Sequence, residues 1–216
     1  MCSRYRLVKE KIVITINGRQ VEVTLKKRYN VAPQQTMPVL IPDLAGGAQV
    51  VTMKWGWQPA WSPQLLVNAQ AETVQTKGTF PPFLQQRCLI PADGFYEWTG
   101  DKTPIMFTQD GDGLFCFAGL WLEAPGGAPP AGVPETRFIV LTTSPNESVG
   151  KVHDRMPFIV EPGQYGGWFE EAKYKEVLNS PDRRELASRA VQRALNNVKN
   201  EGAELIRPGM VQGSLF

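Results

Sequence analysis

The first residues of the chain carry the most distinctive chemistry. Cys2 directly follows Met1, and a small second residue normally allows that methionine to be removed. Removal would leave Cys2 with a free α-amine, titrating near ~8, beside a thiol that titrates near ~8.5. Such an amine and thiol condense with an aldehyde to an imine and then to a five-membered thiazolidine ring. The pair therefore predicts aldehyde capture at Cys2; the alternative is a cysteine without a role.

Three other side chains suit proton transfer or the orientation of a reacting group. His153 is the only histidine and lies in a charged loop, where it is either a proton carrier or a structural residue. Glu97 stands between Tyr96 and Trp98; burial would raise its pKa and suit it to general acid/base work, whereas an outward position would leave it ordinary. Asn68 follows an apolar run and either orients a reacting group or caps the next turn.

The cysteine and histidine counts argue against cross-links and metals. Three cysteines without framework spacing suit a reducing compartment rather than a disulfide scaffold. With one histidine and no CxxC pair, we expect no structural zinc, no other metal and no cofactor. Cys88 and Cys116 lie in apolar strand patterns, which predicts buried, inert thiols.

Positive charge gathers near the start of the chain. Residues 1–40 hold eight basic and two acidic residues, a net charge of +6, whereas the whole chain carries +2. This distribution favours a polyanionic partner, and the alternative is a solvated basic hairpin. Pro33 and Trp61 lie in loops, where they either wedge between and stack on bases or pack the loops together.

Composition and pattern define the class of protein. The 216 residues are 42% hydrophobic and 20% charged, which suits a globular chain with a real core. No apolar run approaches the ~20 residues of a membrane span, and no secretory signal precedes the basic segment. We therefore expect no membrane association.

The hydrophobic pattern predicts many strands followed by helices. Alternation on both sides of Asn17-Gly18 predicts a β-hairpin over 11–26. Helical turns are predicted over 69–75 and 83–87, and longer helices over 164–178 and from 181 to Gly202. The expectation is a single α+β domain over residues 1–216 on mostly antiparallel sheet, with flanking helices mainly toward the C-terminus.

Seven short motifs in order resemble the SRAP family, the SOS-response-associated peptidases. They are Met1-Cys2-x-Arg4, Arg28 to Pro33, Trp55-Gly56 with Pro59-x-Trp61, Asn68-Ala69-x-Ala71-Glu72-Thr73, Ala92 to Trp98, Thr142-Thr143 and His153 to Pro157. The resemblance spreads over almost the whole chain, and Asn196-Asn197-Val198 is similar to the family's end.

The resemblance implies a barrel-like core and a DNA-repair activity. Such proteins bind single-stranded DNA and crosslink to abasic sites, whose ring-opened form is an aldehyde, through the N-terminal cysteine. By carry-over, Cys2 is the nucleophile, Glu97 the acid/base that also removes Met1, and His153 a helper in sugar-ring opening, β-elimination or crosslink reversal. Asn68 would position the amine or the deoxyribose.

The resemblance also implies the DNA contacts and the setting. Its implied phosphate contacts are Arg4, Thr142 and Arg155, and Pro33 and Trp61 form a wedge. Ser3 stands where the family usually has Gly, and Gln70 where it usually has Arg. The missing arginine should remove one phosphate contact, and Lys77 would replace only part of its charge. We therefore expect weaker, less salt-sensitive DNA binding. We expect a monomer, cytoplasmic and nucleoid-associated in a bacterium or nuclear in a eukaryote.

Two other functions remain open from the residues alone. One is a non-covalent reader of single-stranded or modified DNA that uses the same basic groove. The other is a peptidase, which we expect to be limited to removal of Met1 because Cys2 cannot easily attack another chain while it is itself being unmasked.

Overall fold

The structure, a computed structural model, describes residues 3–109, 113–123 and 136–209. Cys2 and the proline- and glycine-rich segment 124–134 lie outside the described residues. The strands are β1 (Tyr5–Leu7), β2 (Lys11–Ile16), β3 (Arg19–Thr24), β4 (Arg28–Val31), β5 (Thr36–Pro42), β6 (Ala48–Trp55), β7 (Asn68–Gln70), β8 (Arg87–Ala92), β9 (Gly94–Trp98), β10 (Pro104–Thr108), β11 (Phe115–Glu123), β12 (Thr136–Thr143), β13 (Met156–Pro157), β14 (Ile159–Val160) and β15 (Ala187–Ala190). The α-helices are α1 (Glu147–Gly150), α2 (Tyr165–Phe169) and α3 (Tyr174–Leu178), and short 3-10 helices span Pro81–Phe83, Pro162–Gln164, Arg193–Asn196 and Ala203–Ile206.

Five strands close into a barrel. Strand β12 pairs with β6, β6 with β5, β5 with β8, β8 with β11, and β11 returns to β12. All of these pairs are antiparallel except β6–β12. Strands β8 and β11 are filled with fully buried side chains such as Leu89, Ile90, Phe117 and Leu120. Closure removes the exposed edges that an open sheet would leave.

A second sheet lies against the barrel and carries the start of the chain. Its order is β15-β10-β9-β1-β4, and it is joined to the barrel through Asp93, the one residue between β8 and β9. Tyr5 of β1 packs on Trp55 and on Phe117, with ring centroids 5.4 and 5.8 Å apart. Phe95 of β9 packs on Phe117 from the same side, at 6.2 Å. The aromatic contacts thus hold β1 and β9 against the barrel core.

The predicted hairpin is confirmed. Strands β2 and β3 pair from Lys11↔Thr24 to Ile16↔Arg19. Asn17 and Gly18 have φ values of 50° and 76°, as a two-residue turn of the kind favoured in hairpins requires.

The helical predictions were less accurate. The segment from 181 forms an extended stretch and then β15, which pairs with β10 over Ile105↔Ala190 to Thr108↔Ala187. The helical spacing of this segment was misleading, because strand β10 provides hydrogen-bond partners for its backbone and so favours an extended conformation. The helix over 164–178 is divided into α2 and α3, residues 69–75 begin as β7 followed by turns, and 83–87 contributes only the end of a 3-10 helix.

The predicted fold class is nevertheless confirmed: an α+β structure on mostly antiparallel sheet, with a barrel-like core. The three α-helices fall between residues 147 and 178, in the second half of the chain. Among the described residues, no helix is both long and apolar enough to cross a membrane.

Candidate active site

The start of the chain enters the site along strand β9. Tyr5 lies opposite Phe95 and Arg6 opposite Gly94 in an antiparallel register, and the backbone N–H of Tyr96 donates to the Arg4 carbonyl at 3.1 Å. Continued by one residue, this register brings Ser3 level with Glu97. The chain therefore leads from β1 directly toward the Glu97 carboxyl.

Glu97 is a buried carboxyl group on the barrel side of its strand. It shares a face with Phe95 because side chains alternate along a strand, and it lies opposite Ile105 of β10. Its residue surface is 2% exposed, and its Oε1 has no hydrogen-bond partner among the described residues. Burial raises the pKa of Glu97 to about 7. The outward position left open by the sequence is thus wrong, and the carboxyl is suited to exchange a proton near neutral pH.

His153 approaches the Glu97 carboxyl from the loop that follows α1. Helix α1 is capped by Asn146, whose side chain accepts from the Val149 N–H, and the His153 N–H donates to the Val149 carbonyl at 2.9 Å. The turn delivers the ring so that its Nε2 is 4.0 Å from Glu97 Oε2. Burial lowers the pKa of His153, so the ring is neutral at neutral pH.

The pair of Glu97 and His153 combines an acid with a raised pKa and a base with a lowered pKa. Both shifts have burial as their main cause, because burial disfavours the charged form of either group. The Asp154 carboxylate, 2.9 Å from His153 Nδ1, acts in the opposite direction on the ring and favours its protonated form. The arrangement places a carboxyl with a pKa of about 7 beside an imidazole whose pKa is lowered, which suits Glu97 to hold a proton near neutral pH.

Asn68 begins strand β7, which pairs in parallel with β12. Its backbone lies opposite Val140, and its neighbour Val67 accepts a hydrogen bond from the Trp55 indole at 2.9 Å. The half-buried Asn68 is therefore a fixed strand-start residue, and turns follow β7 from residue 71.

Arg155 and Thr142 lie together beside the His153 loop. Thr142 is fully buried. Arg155 donates to the Thr142 carbonyl at 2.7 Å and forms a two-pronged ion pair with Glu72, at 3.0 and 2.8 Å. The Arg155 side chain is 17% exposed. Both residues predicted to hold phosphates are thus engaged within the protein in this structure.

Arg4 lies on the other face of its sheet from Glu97. Its guanidinium donates to Asn30 Oδ1 at 2.8 Å and to the Leu195 carbonyl at 2.9 Å, and it stands over the Trp98 ring at 5.7 Å. Because alternate side chains of a strand point to opposite faces, Arg4 shares its side with Tyr96 and not with Glu97. Arg4 therefore anchors β1 to the C-terminal segment.

The remaining predicted DNA contacts lie on the surface. Trp61 is 68% exposed and lines a cavity of about 560 Å³ together with Gln34, Pro59 and Arg137. Pro33, beside Gln34, is half-buried, and Lys77 is exposed. The exposure of Trp61 leaves its ring available for stacking, in contrast to the loop-packing alternative.

The predicted burial of the two internal cysteines is confirmed. Cys88 and Cys116 are both 0% exposed. Burial raises the pKa of both thiols, that of Cys116 to about 12. Within the described parts of the chain, no group of three or more His, Cys, Asp or Glu side chains is arranged to hold a metal ion.

Two residues that position the site had no role in the sequence predictions. Glu72 binds Arg155, 83 residues away, and Asn30 bonds to Arg4 and to carbonyls of residues 195, 197 and 200. Both stand inside motifs of the resemblance, which was the one available signal, because no local pattern indicates partners so distant in sequence.

Comparison with known proteins places this arrangement in a family. The sequence profile of the SOS response associated peptidase (SRAP) family matches residues 1–198. The chain belongs to the SRAP family. Abasic site processing protein YoqW of Bacillus subtilis (strain 168) is 32% identical over 225 residues, covering 95% of this chain and 99% of YoqW. Abasic site processing protein YedK of Escherichia coli (strain K12) is 32% identical over 192 residues, covering 84% of each chain.

A solved structure shares this fold. The crystal structure of a phage-related protein from Bordetella bronchiseptica aligns with a TM-score of 0.72 at 23% identity, covering 88% of this chain and 94% of that one. The SRAP match includes the whole site, from β1 through Glu97 and His153 to the acceptors of Arg4 near residue 195.

Proposed function

We propose that this SRAP protein processes abasic sites in single-stranded DNA, as a monomer, by covalent capture through Cys2. The observation that carries the proposal is the Glu97 carboxyl: buried, with a pKa near neutrality, 4.0 Å from the His153 ring and level with Ser3, two residues before β1. The names of the relatives YoqW and YedK support an abasic site as the substrate.

After Met1 has been removed by hydrolysis, capture of the abasic site proceeds in two steps. The α-amine of Cys2 adds to the C1′ aldehyde of the ring-opened sugar, and the carbinolamine loses one water to give an imine. The Cys2 thiol then adds across the C=N bond, with sulfur bonding to C1′ and the proton passing to nitrogen. The product is a thiazolidine, and the net reaction releases one water.

Glu97 and His153 supply the proton transfers. A carboxyl with a pKa of about 7 is protonated often enough to donate to the departing hydroxyl of the carbinolamine and ionised often enough to take a proton from the amine. His153, whose pKa burial lowers, assists opening of the sugar ring. The same pair could run the reaction backwards and release the DNA. Asn68 holds the amine or the deoxyribose.

The DNA path follows the predicted surface residues. Trp61 and Pro33 form the wedge where bases unstack, with the 560 Å³ cavity beside Trp61 receiving a base. Lys77 is exposed beyond the turn after β7 and contacts a phosphate. Arg155 and Thr142 line the phosphate side of the lesion, and Arg4 contributes by fixing β1.

The test is intact-mass spectrometry before and after mixing the protein with single-stranded DNA that carries one abasic site. We expect loss of Met1 and an adduct that survives denaturation. Cys2→Ala and the matched variant Cys2→Ser both keep the α-amine once Met1 is removed, so each should lose the adduct that survives denaturation and give only an imine that appears after borohydride reduction. A stable adduct with Cys2→Ala would overturn capture by this residue.

The same experiment separates the other functions. Tight binding of abasic DNA by a mature protein that forms no adduct would favour a non-covalent reader. Loss of Met1 that depends on Glu97, without any reaction with DNA, would favour a peptidase limited to its own terminus.

A further inference from the structure

The His153 loop is tied to the barrel by one carboxylate that has no assigned role. Glu72, in the turn after β7, accepts from Arg155 Nη1 at 3.0 Å and from Arg155 Nη2 at 2.8 Å. The parallel, two-pronged geometry is the strongest form of a carboxylate–guanidinium pair and fixes orientation as well as distance. The Arg155 guanidinium is therefore held in one place rather than free to move with solvent.

Glu72 is itself fixed at the end of strand β12. The Thr143 hydroxyl donates to Glu72 Oε1 at 3.2 Å, and the Ser144 backbone N–H donates to the same oxygen at 3.3 Å. The hydrogen bond and charge of Arg155 together lower the pKa of Glu72 despite partial desolvation, which acts to raise it. Glu72 thus joins three segments: the turn after β7, the end of β12 and the loop of residues 153–155.

The loop transmits this constraint to the histidine ring. The backbone N–H of Arg155 donates to His153 Nδ1 at 3.0 Å. In a neutral ring an accepting Nδ1 has no hydrogen, so the hydrogen must be on Nε2. Nε2 is the atom that faces Glu97, at 4.0 Å. The Asp154 carboxylate, 2.9 Å from Nδ1, competes for that nitrogen and favours a hydrogen on it, so the position of the Arg155 N–H decides between the two tautomers.

We propose that Glu72 is a positioning residue for His153. By holding the Arg155 side chain, it holds the Arg155 backbone N–H against Nδ1 and so selects the ring tautomer that presents an N–H to Glu97. The inference deepens the proposed function, on which its catalytic consequence rests, but the tautomer itself is a property of the free protein.

A second consequence concerns Arg155. Two of its nitrogens are bound to Glu72, and one of these also donates to the Thr142 carbonyl, so much of its positive charge is compensated before DNA arrives. If Glu72 instead served as a phosphate mimic that DNA displaces, its loss would free Arg155 and strengthen DNA binding. The two roles predict opposite results for the same substitution.

The first test is the tautomer of His153 measured by nitrogen NMR of the imidazole. The chain has one histidine, so the signals need no assignment. At about pH 8, where an imidazole is neutral, we expect hydrogen on Nε2 alone in the wild-type protein and a mixture of both tautomers in Glu72→Gln. Glu22→Gln is the matched control, because Glu22 also forms a 2.8 Å ion pair and is similarly exposed, and it should leave the tautomer unchanged.

The second test measures adduct formation on abasic DNA. Glu72→Gln should lower the rate of adduct formation at saturating DNA by about tenfold through misplacement of the ring. Tighter binding with a steeper salt dependence and an unchanged rate at saturation would overturn the positioning role in favour of the phosphate mimic.

The NMR and adduct measurements distinguish a failure of the proposed function from a failure of the inference about Glu72. If the wild-type protein forms no adduct, the proposed function fails while the NMR experiment still tests the tautomer. An unchanged tautomer in a folded Glu72→Gln protein would overturn the inference. Should that variant not fold, Thr143→Val removes one bond to Glu72 while leaving the ion pair, and the inference then requires a smaller shift in the same direction.

Discussion

Two carboxylates are buried near opposite ends of strand β9, and their surroundings differ. At the start of the strand, Asp93 faces Arg6 at 2.9 Å and accepts from the Val8 backbone N–H at 2.7 Å. Four residues later, Glu97 has a neutral ring 4.0 Å from one oxygen and, among the described residues, no hydrogen-bond partner for the other. The Asp93 end fastens β1 to the sheet, and the Glu97 end keeps a group ready to exchange protons.

The Asp93 end is built for close approach. Asp93 and Arg6 are both almost fully buried, and a side chain at Gly94 would bring its Cβ within 2.8 Å of Arg6 Nε. Glycine is therefore required where the guanidinium passes over the strand. The difference between the ends lies in the partner: Asp93 is paired with a guanidinium, whereas Glu97 has an imidazole at 4.0 Å, and burial raises the pKa of the Glu97 carboxyl to about 7.

The largest expected effect comes from breaking the Asp93 end. Asp93→Asn leaves the Arg6 guanidinium buried without its counter-charge, which should cost about 3–5 kcal/mol of unfolding free energy. Denaturant unfolding measures the loss. The surface control Glu22→Gln should cost less than ~1 kcal/mol, and an equally small loss in Asp93→Asn would contradict the structural role of this end.

Replacing Glu97 should change the unfolding free energy in the opposite direction, because this substitution is expected to stabilise the protein at high pH. The folded protein holds the Glu97 proton more tightly than the unfolded chain does, with a pKa of about 7 against an ordinary value of 4.5. Stability from this group is therefore complete below the lower value and is lost as pH rises through the higher one, by up to about 3 kcal/mol. Glu97→Gln should remove this dependence and be the more stable protein at pH 8, while losing adduct formation.

Unfolding measurements across this pH range, on the wild-type protein and Glu97→Gln, decide the matter. Parallel curves for the two proteins would mean that Glu97 is ionised in the folded state at neutral pH. Its environment would then resemble that of Asp93, and the comparison between the two ends would collapse.

A smaller effect is expected from Arg4, which supports the Glu97 end from the opposite face of the sheet. Arg4→Gln removes the donors to Asn30 and to the Leu195 carbonyl and should cost about 1–2 kcal/mol. Faster proteolysis within residues 193–207 would locate the loss. Unchanged stability together with a weaker salt dependence of DNA binding would instead assign Arg4 to a phosphate.

The smallest effect concerns the surface near the Glu97 end. Gln70 is exposed and lies opposite Thr142 in the β7–β12 register. Gln70→Arg adds a charge there and should steepen the dependence of DNA binding on salt by about one phosphate contact, without changing the rate of adduct formation at saturation. Binding titrations at several salt concentrations measure it, and Gln20→Arg, on the exposed hairpin, is the control for added charge alone.

Local patterns predicted the parts of the fold that depend on neighbours in sequence. The Asn17-Gly18 turn sets the backbone of its own hairpin, and strand alternation follows from which side chains face the core. The predicted helix from 181 failed because β15 exists through its pairing with β10, some 80 residues away. Helical spacing of Leu186, Ala190 and Leu195 carries no information about that partner.

In the candidate site, too, local sequence predicted some features and the tertiary fold determined the others. Residue chemistry singled out Glu97 and His153, but the burial of Glu97 depends on both β1 and β10, and so was left open by the sequence. The contact of Glu72 with Arg155 was missed because the tertiary fold brings these two residues together from positions far apart in sequence. The positions of Arg4 and Thr142 were also unpredictable, because whether a strand side chain is exposed or buried depends on which face of its sheet the rest of the protein covers.

The bond between Arg4 and Leu195 joins residues 191 positions apart, and this separation orders events during synthesis. A ribosome that has finished β1, β4 and β9 has not yet produced the carbonyl that Arg4 requires. Strand β1 is thus held by fewer contacts throughout translation than in the finished protein. The last fastening of the second sheet is made only when the C-terminal segment has left the ribosome.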